Sequence, residues 1–88
     1  MSVMIEHYYP NHHGNVVELI TAIQQNEFNV SITYEDQPDL ANIETFYDAF
    51  LVALYNHDVV GTVAVKRISD FSVIRKMFVK DAFRGKTF

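Results

Sequence analysis

Apolar residues recur along this chain with two different periods, and the change of period divides it. The bulky Val3, Ile5 and Tyr9 between Ser2 and Tyr9 predict a first strand. Pro10 and the polar Asn11-His12-His13-Gly14 end it. Val16, Leu19, Ile20 and Ile23 then recur at helical spacing, with Glu18, Gln24, Gln25 and Glu27 largely elsewhere, so an amphipathic helix is predicted. Asn15 with Glu18 three residues on resembles a capping box, and Asn11 is an alternative cap for a longer helix. Phe28 to Tyr34 is irregular and partly apolar. Asp36-Gln37-Pro38-Asp39 supplies a cap and a proline, and Leu40, Ile43, Phe46 and Tyr47 predict a short second helix.

The period then changes. Phe50 to Tyr55 is a nearly continuous apolar run, and Asn56-His57-Asp58 reads as a turn. Val59 to Val65 is β-branched and apolar, and Phe71 to Val79 follows after Ser69-Asp70. Three short strands joined by tight turns predict an antiparallel meander. The fold class is therefore α+β: strand, helix, helix, then a three-stranded antiparallel meander. Apolar residues on both faces of the second and third strands predict a sheet covered on both sides. The two helices account for one cover. No linker, repeat or low-complexity stretch interrupts the 88 residues, so residues 1–88 are read as a single domain.

Composition sharpens this. The chain is 49% hydrophobic and 14% aromatic, which suits a packed core rather than a disordered segment. It has no cysteine, so neither disulfides nor thiolate metal sites can brace it. No apolar run approaches about 18 residues, and no basic-then-apolar signal opens the chain, so no membrane span or secretion is predicted. The expected location is cytoplasmic, and Asn29-Val30-Ser31 is read as a chance glycosylation match. Charge is asymmetric. The first 65 residues hold nine acids and no Lys or Arg; all seven basic residues follow, against Asp70 and Asp81 alone. The two ends are expected to face different partners, or each other.

Candidate chemistry is concentrated at the C-terminus. Val60-Gly61-Thr62-Val63-Ala64 and the run from Ile74 to Lys86, Ile-Arg-Lys-Met-Phe-Val-Lys-Asp-Ala-Phe-Arg-Gly-Lys, give a strand, a second strand and a basic, glycine-containing turn. In order and in these motifs the chain resembles the N-terminal half of a GNAT-superfamily N-acetyltransferase, that is, a partial acyl-CoA N-acyltransferase fold. The resemblance spans essentially all 88 residues but roughly the first half of such a domain. The family's loop pattern is Arg/Gln-x-x-Gly-x-Gly/Ala. Arg84 matches its first position, Thr87 stands where the first glycine usually sits, and the second would be residue 89.

The resemblance implies acetyl-CoA as co-substrate and an amine, on a small molecule or a peptide, as acceptor. It implies that Met77, Phe78 and Val79 offer backbone to the pantetheine arm, and that Arg84, Gly85, Lys86 and Thr87 face the pyrophosphate. Such a turn works because successive backbone N–H groups make an anion site, glycine allows close approach, and arginine grips phosphate through two N–H groups. No general base or acid is assigned: the family often has a glutamate on this strand, and here Arg75 and Lys76 stand there. The chain is thus expected to be an incomplete, inactive form of an N-acetyltransferase. The alternative is a non-catalytic, self-associating remnant or fragment.

Other readings rank lower. His12-His13 has no second cluster to complete a metal site, so no metal is expected. His7 and His57 are read as a strand and a turn residue. Glu27, Glu35, Asp36 and Asp39 form either a negative rim for a cationic amine or a solvated acidic loop. Lys66, Arg67, Arg75, Lys76 and Lys80 are basic, but the net charge is −4 and no nucleic-acid motif is present, so nucleic acid is not expected. The last strand lacks a later partner and an apolar face lacks a cover, which together predict a homodimer.

Overall fold

A computed structural model describes residues 2–84. Four strands form one antiparallel sheet in the order β1-β2-β3-β4: β1 (Met4–His7), β2 (Ala49–Tyr55), β3 (Asp58–Ile68) and β4 (Phe71–Val79). Between β1 and β2 lie a 3-10 turn (Pro10–His12), the helix α1 (His13–Asn26) and two single-turn helices, α2 (Pro38–Ala41) and α3 (Ile43–Phe46). The expected α+β order, with its C-terminal meander, is the order found. β1 joins the meander as its outer strand by pairing Met4 with Leu54 and His7 with Leu51.

The helical stripe read from the sequence does face the core. Val16, Leu19, Ile20 and Ile23 are all buried, against Phe50, Val52, Val59 and Ala64 of the sheet. Several boundaries differ from expectation: the first strand, read over Ser2 to Tyr9, is confined to Met4–His7. α1 begins at His13, so Asn15 sits inside it and caps nothing; neither does its N-terminal neighbour cap through a side chain. The expected second helix is broken at Asn42, whose φ of −137° and ψ of 47° are not helical, yet Leu40 and Ile43 still reach the core from the two short pieces. β3 runs on to Ile68 because its ladder with β4 continues through Arg67–Ser72 and Ile68–Phe71, and Lys66 lays its stem along the surface, its ammonium 4.7 Å from the Phe46 ring centre and donating to Phe46 O at 2.6 Å.

The β2–β3 hairpin turns on Asn56 and His57, both left-handed, with φ of 51° and 70°. Two positive φ values in a two-residue loop give the turn whose twist matches the flanking strands, and glycine favours its second position. Here histidine holds it, at a steric cost of roughly 1 kcal/mol. His57→Gly is therefore expected to raise the thermal midpoint by about 4–8 °C. A melt followed by circular dichroism checks this; an unchanged or lower midpoint contradicts it.

The second face of the sheet is only partly covered. Phe83, in a 3-10 turn after β4 (Asp81–Phe83), packs on Ala53 and Val60, with Tyr55 and Val79 alongside. Further along the same face, Ile5, Ile74 and Met77 are 52%, 57% and 69% exposed. The expected two-sided cover is thus complete on the helical face and restricted to one end on the other.

Candidate functional site

The site is built where β4 leaves the sheet. β3 and β4 pair Thr62 with Phe78 and Gly61 with Val79, but Ala64 with Arg75. Val63 therefore faces two residues, Lys76 and Met77, which is a β-bulge. Lys76 carries it with φ of 48°, and its carbonyl accepts a 2.7 Å bond from Thr62 Oγ1. Beyond the bulge the ladder continues, since Lys80 N–H donates to Val60 O at 2.9 Å. Antiparallel alternation then turns the peptide groups of Phe78 toward β3 and those of Met77 and Val79 toward the outer edge. Consistent with that, the Val79 carbonyl accepts from Arg84 Nε at 2.9 Å, from outside the sheet.

Of the residues expected to hold the cofactor, Met77, Val79 and Arg84 are brought together at the outer edge, whereas the Phe78 peptide, expected to offer backbone to the pantetheine arm, is instead turned into the ladder with Thr62 of β3; Gly85, Lys86 and Thr87 lie outside the described residues. Met77 is exposed on the open face. Phe78 is half-buried on the helical face, its ring centre 6.4 Å from that of Phe28. Burial of Phe83 under Tyr55, at 5.3 Å between ring centres, anchors the turn that delivers Arg84. Arg84 is already paired: one terminal nitrogen is 2.5 Å from Glu27 at the end of α1, and the other is 3.5 Å from Asp81.

A cavity of about 530 Å³ opens between α1 and this turn, lined by Glu18, Glu27, Asp58, Lys80 and Asp81 among others. Four carboxylates against one lysine do not suit an anion, so the cavity is not where a pyrophosphate would lie. The edge of β4 and the far side of the Arg84 fork are the surfaces that remain for one.

The four acids read as a rim are mostly engaged within the fold. Glu27 holds Arg84. Asp36 accepts from Thr33 N–H at 3.0 Å and Thr33 Oγ1 at 3.1 Å. Asp39 accepts a short bond from the Tyr47 hydroxyl and lies 3.6 Å from the Lys76 ammonium. Burial, and then donation to Asp39, push the Tyr47 hydroxyl well above its ordinary range, so it stays protonated. Glu35 alone of the four has no such bond among the described residues and is exposed. The histidines are likewise local. His12 accepts from Tyr9 N–H at Nδ1 (3.0 Å) and meets Glu6 at Nε2 (2.9 Å), while His13 Nε2 lies 2.8 Å from Leu40 O. Among the described residues no three His, Cys, Asp or Glu side chains are arranged to hold a metal ion. No helix among them is long and apolar enough to cross a membrane.

One cluster escaped the sequence reading: Gln24, Gln37, Asp39, Tyr47 and Lys76. Its one linear signal is Arg75-Lys76, two adjacent charges that break period-two alternation inside a strand, which is what a bulge does.

No family model matches the sequence, and no curated protein matches it. Solved structures do. A GNAT-family acetyltransferase from Staphylococcus aureus Mu50 is 38% identical, with a TM-score of 0.91 over 96% of this chain and 57% of its own. An acetyltransferase from Streptococcus agalactiae 2603 is 34% identical, with a TM-score of 0.87 over 94% of this chain and 55% of its own. PaiA N-acetyltransferase from Thermoplasma acidophilum, solved in complex with coenzyme A, shares the fold at a TM-score of 0.75 and 13% identity. This chain thus spans a little over half the length of the first two relatives. With its sheet order and this agreement over nearly every residue, the chain is a partial member of the GNAT acetyltransferase family.

Proposed function

We propose that the chain forms one wall of an acetyl-CoA cleft in an N-acetyltransferase whose acceptor is an amine on a small molecule or peptide. The observation that carries this is the conjunction at β4. An outer edge with outward-facing peptide groups at Met77 and Val79 ends in a turn that delivers an arginine. Those peptide groups suit the amides of a pantetheine arm, and the Arg84 guanidinium, with Gly85, Lys86 and Thr87, suits a pyrophosphate. Bound there, acetyl-CoA supplies an activated acyl group: the amine nitrogen bonds to the thioester carbon, the C–S bond breaks with its electron pair going to sulfur, and the proton lost by the nitrogen ends on the departing thiolate, giving the amide and free CoA thiol.

The chain's own residues bind and orient rather than transfer protons. Asp39 is engaged by Tyr47 and Lys76, and no group is assigned as base. The 88 residues alone are therefore expected to bind acetyl-CoA without turning it over. The Glu27–Arg84 pair is a competitor for the phosphate. Both side chains are about a third exposed or more, and such a pair is worth only about 0–1 kcal/mol. A phosphate gaining charge-assisted bonds of about 1.5–3 kcal/mol displaces it.

Titration calorimetry tests this. Arg84→Ala is expected to weaken acetyl-CoA at least about tenfold, whereas Glu27→Gln, which frees the arginine, tightens it by up to about fivefold. Binding indifferent to both changes contradicts the assignment. A thiol-release assay over a panel of amines separates binding from turnover, and release above the uncatalysed rate would overturn the non-catalytic part of this reading.

A further inference from the structure

We propose that Lys76 is a positioning residue: its side chain, clamped between Gln37 and Asp39, holds the left-handed bulge that sets the course of Met77 to Arg84. Its link to function rests on the cleft reading above; its link to backbone geometry does not.

A lysine at φ 48° is unfavourable, by roughly 1–2 kcal/mol, because Cβ crowds the following carbonyl. Lysine lacks the short polar side chain with which Asn or Asp tolerates that region. Something must hold it, and its side chain is where that hold lies. Nζ donates to Gln37 Oε1 at 2.6 Å and stands 3.6 Å from Asp39 Oδ2. The Lys76 and Asp39 side chains are only 17% and 14% exposed, so solvent screens them little.

Each partner is itself fixed. The Gln37 amide donates to Gln24 Oε1 at 2.9 Å and to Thr33 O at 3.2 Å, which orients its oxygen toward the lysine. Asp39 is held by Tyr47, whose ring lies 4.9 Å from Phe46 and 5.7 Å from Phe50 between centres. The clamp thus joins α1, the following loop, α2 and the segment before β2 to one residue of β4. A partly buried ion pair is weak evidence for stability but suits the selection of one geometry.

The selected geometry matters downstream. Without the bulge, strand alternation would shift by one residue and turn Phe78 off the helical face. Phe78 would leave Phe28, Val79 would leave the Phe83 cluster, and Arg84 would no longer reach Glu27.

Amide hydrogen exchange on the 88-residue protein, without ligand, tests the clamp. Lys76→Met keeps the stem and removes the ammonium. The inward-facing amides of Phe78 and Lys80 are expected to exchange at least about tenfold faster, with Ile20 and Ile23 in α1 within about threefold of wild type. Lys76→Gly, which adopts positive φ freely, should keep Phe78 and Lys80 near wild-type rates. Should Lys76→Met fail to fold, Asp39→Asn carries the test, with a smaller acceleration again confined to β4. Unchanged β4 rates, or equal acceleration in α1, would overturn the positioning role. Acetyl-CoA binding is measured separately on the wild type; its failure sinks the cleft reading and leaves the exchange result standing.

Discussion

Ile20→Ala is expected to lower stability by about 2–5 kcal/mol. Ile20 is fully buried at the centre of the stripe that α1 lays on β3 and β4. Truncation removes three carbons and leaves a cavity that the surrounding Val16, Leu40 and Val52, each almost wholly buried, cannot fill without moving. A chain of this size has a total stability of roughly 4–13 kcal/mol, so the loss is a large share of the whole. The thermal midpoint should fall by well over about 10 °C. Val30→Ala is the control: Val30 is an exposed apolar side chain, and its truncation should change stability by no more than about 0.5 kcal/mol. Denaturant melts of the two variants give the comparison. Equal and small effects would mean that α1 is not the principal cover of the sheet.

The second large effect is on mass. We propose that two copies of the 88-residue chain associate through the face of the sheet that Phe83 leaves open, so that light scattering at about 100 µM reads twice 10.2 kDa. Ile5, Ile74 and Met77 are more than half exposed there, around a shallow apolar depression floored by Ala53 and Gly61. Two-fold pairing of the β4 edges would set Arg75 and Lys80 of one copy near the same residues of the other, and like charges across strands oppose it. Face-to-face packing brings the apolar Ile5, Ile74 and Met77 together and satisfies both copies at once. Burying about 600 Å² in total is worth on the order of 15 kcal/mol gross, much of which the losses on association offset. That area is below the usual span of stable interfaces, so the pair should dissociate on dilution. Met77→Glu on that face should give a monomer at every concentration. A wild-type protein that is monomeric at about 100 µM would show that the open face does not pair with itself.

Much of the architecture was legible because it follows from spacing. Val16, Leu19, Ile20 and Ile23 could share a side only on a helix, and they do. Leu40 and Ile43 were correctly read as core even though the helix carrying them is broken at Asn42, because a spacing of three survives the break. β4 was bounded correctly by turn residues on either side. What was not legible is what depends on contacts between distant polar residues. Nothing local in Gln24, Gln37 or Asp39 tells that they meet Lys76, since each is as natural on a solvated surface. The engagement of Glu27 with Arg84 joins residues 57 apart along the chain. A charge pattern can announce that opposite ends attract, as the acidic front and basic back do here, but not which pair forms. The bulge lies between these cases: adjacent Arg75-Lys76 marks where alternation fails, while the left-handed lysine that results needs coordinates to be seen.

The claim on which the functional account rests is that acetyl-CoA lies along the outer edge of β4 and ends at Arg84. An amide-resolved NMR titration of the wild-type chain with acetyl-CoA tests it most directly. The account predicts saturable shifts at the outward-facing amides of Met77 and Val79 and at the Arg84 guanidinium, with little change at Ile20 and Ile23. Shifts confined to the acid-lined cavity between α1 and the turn after β4, or none at millimolar ligand, would contradict it.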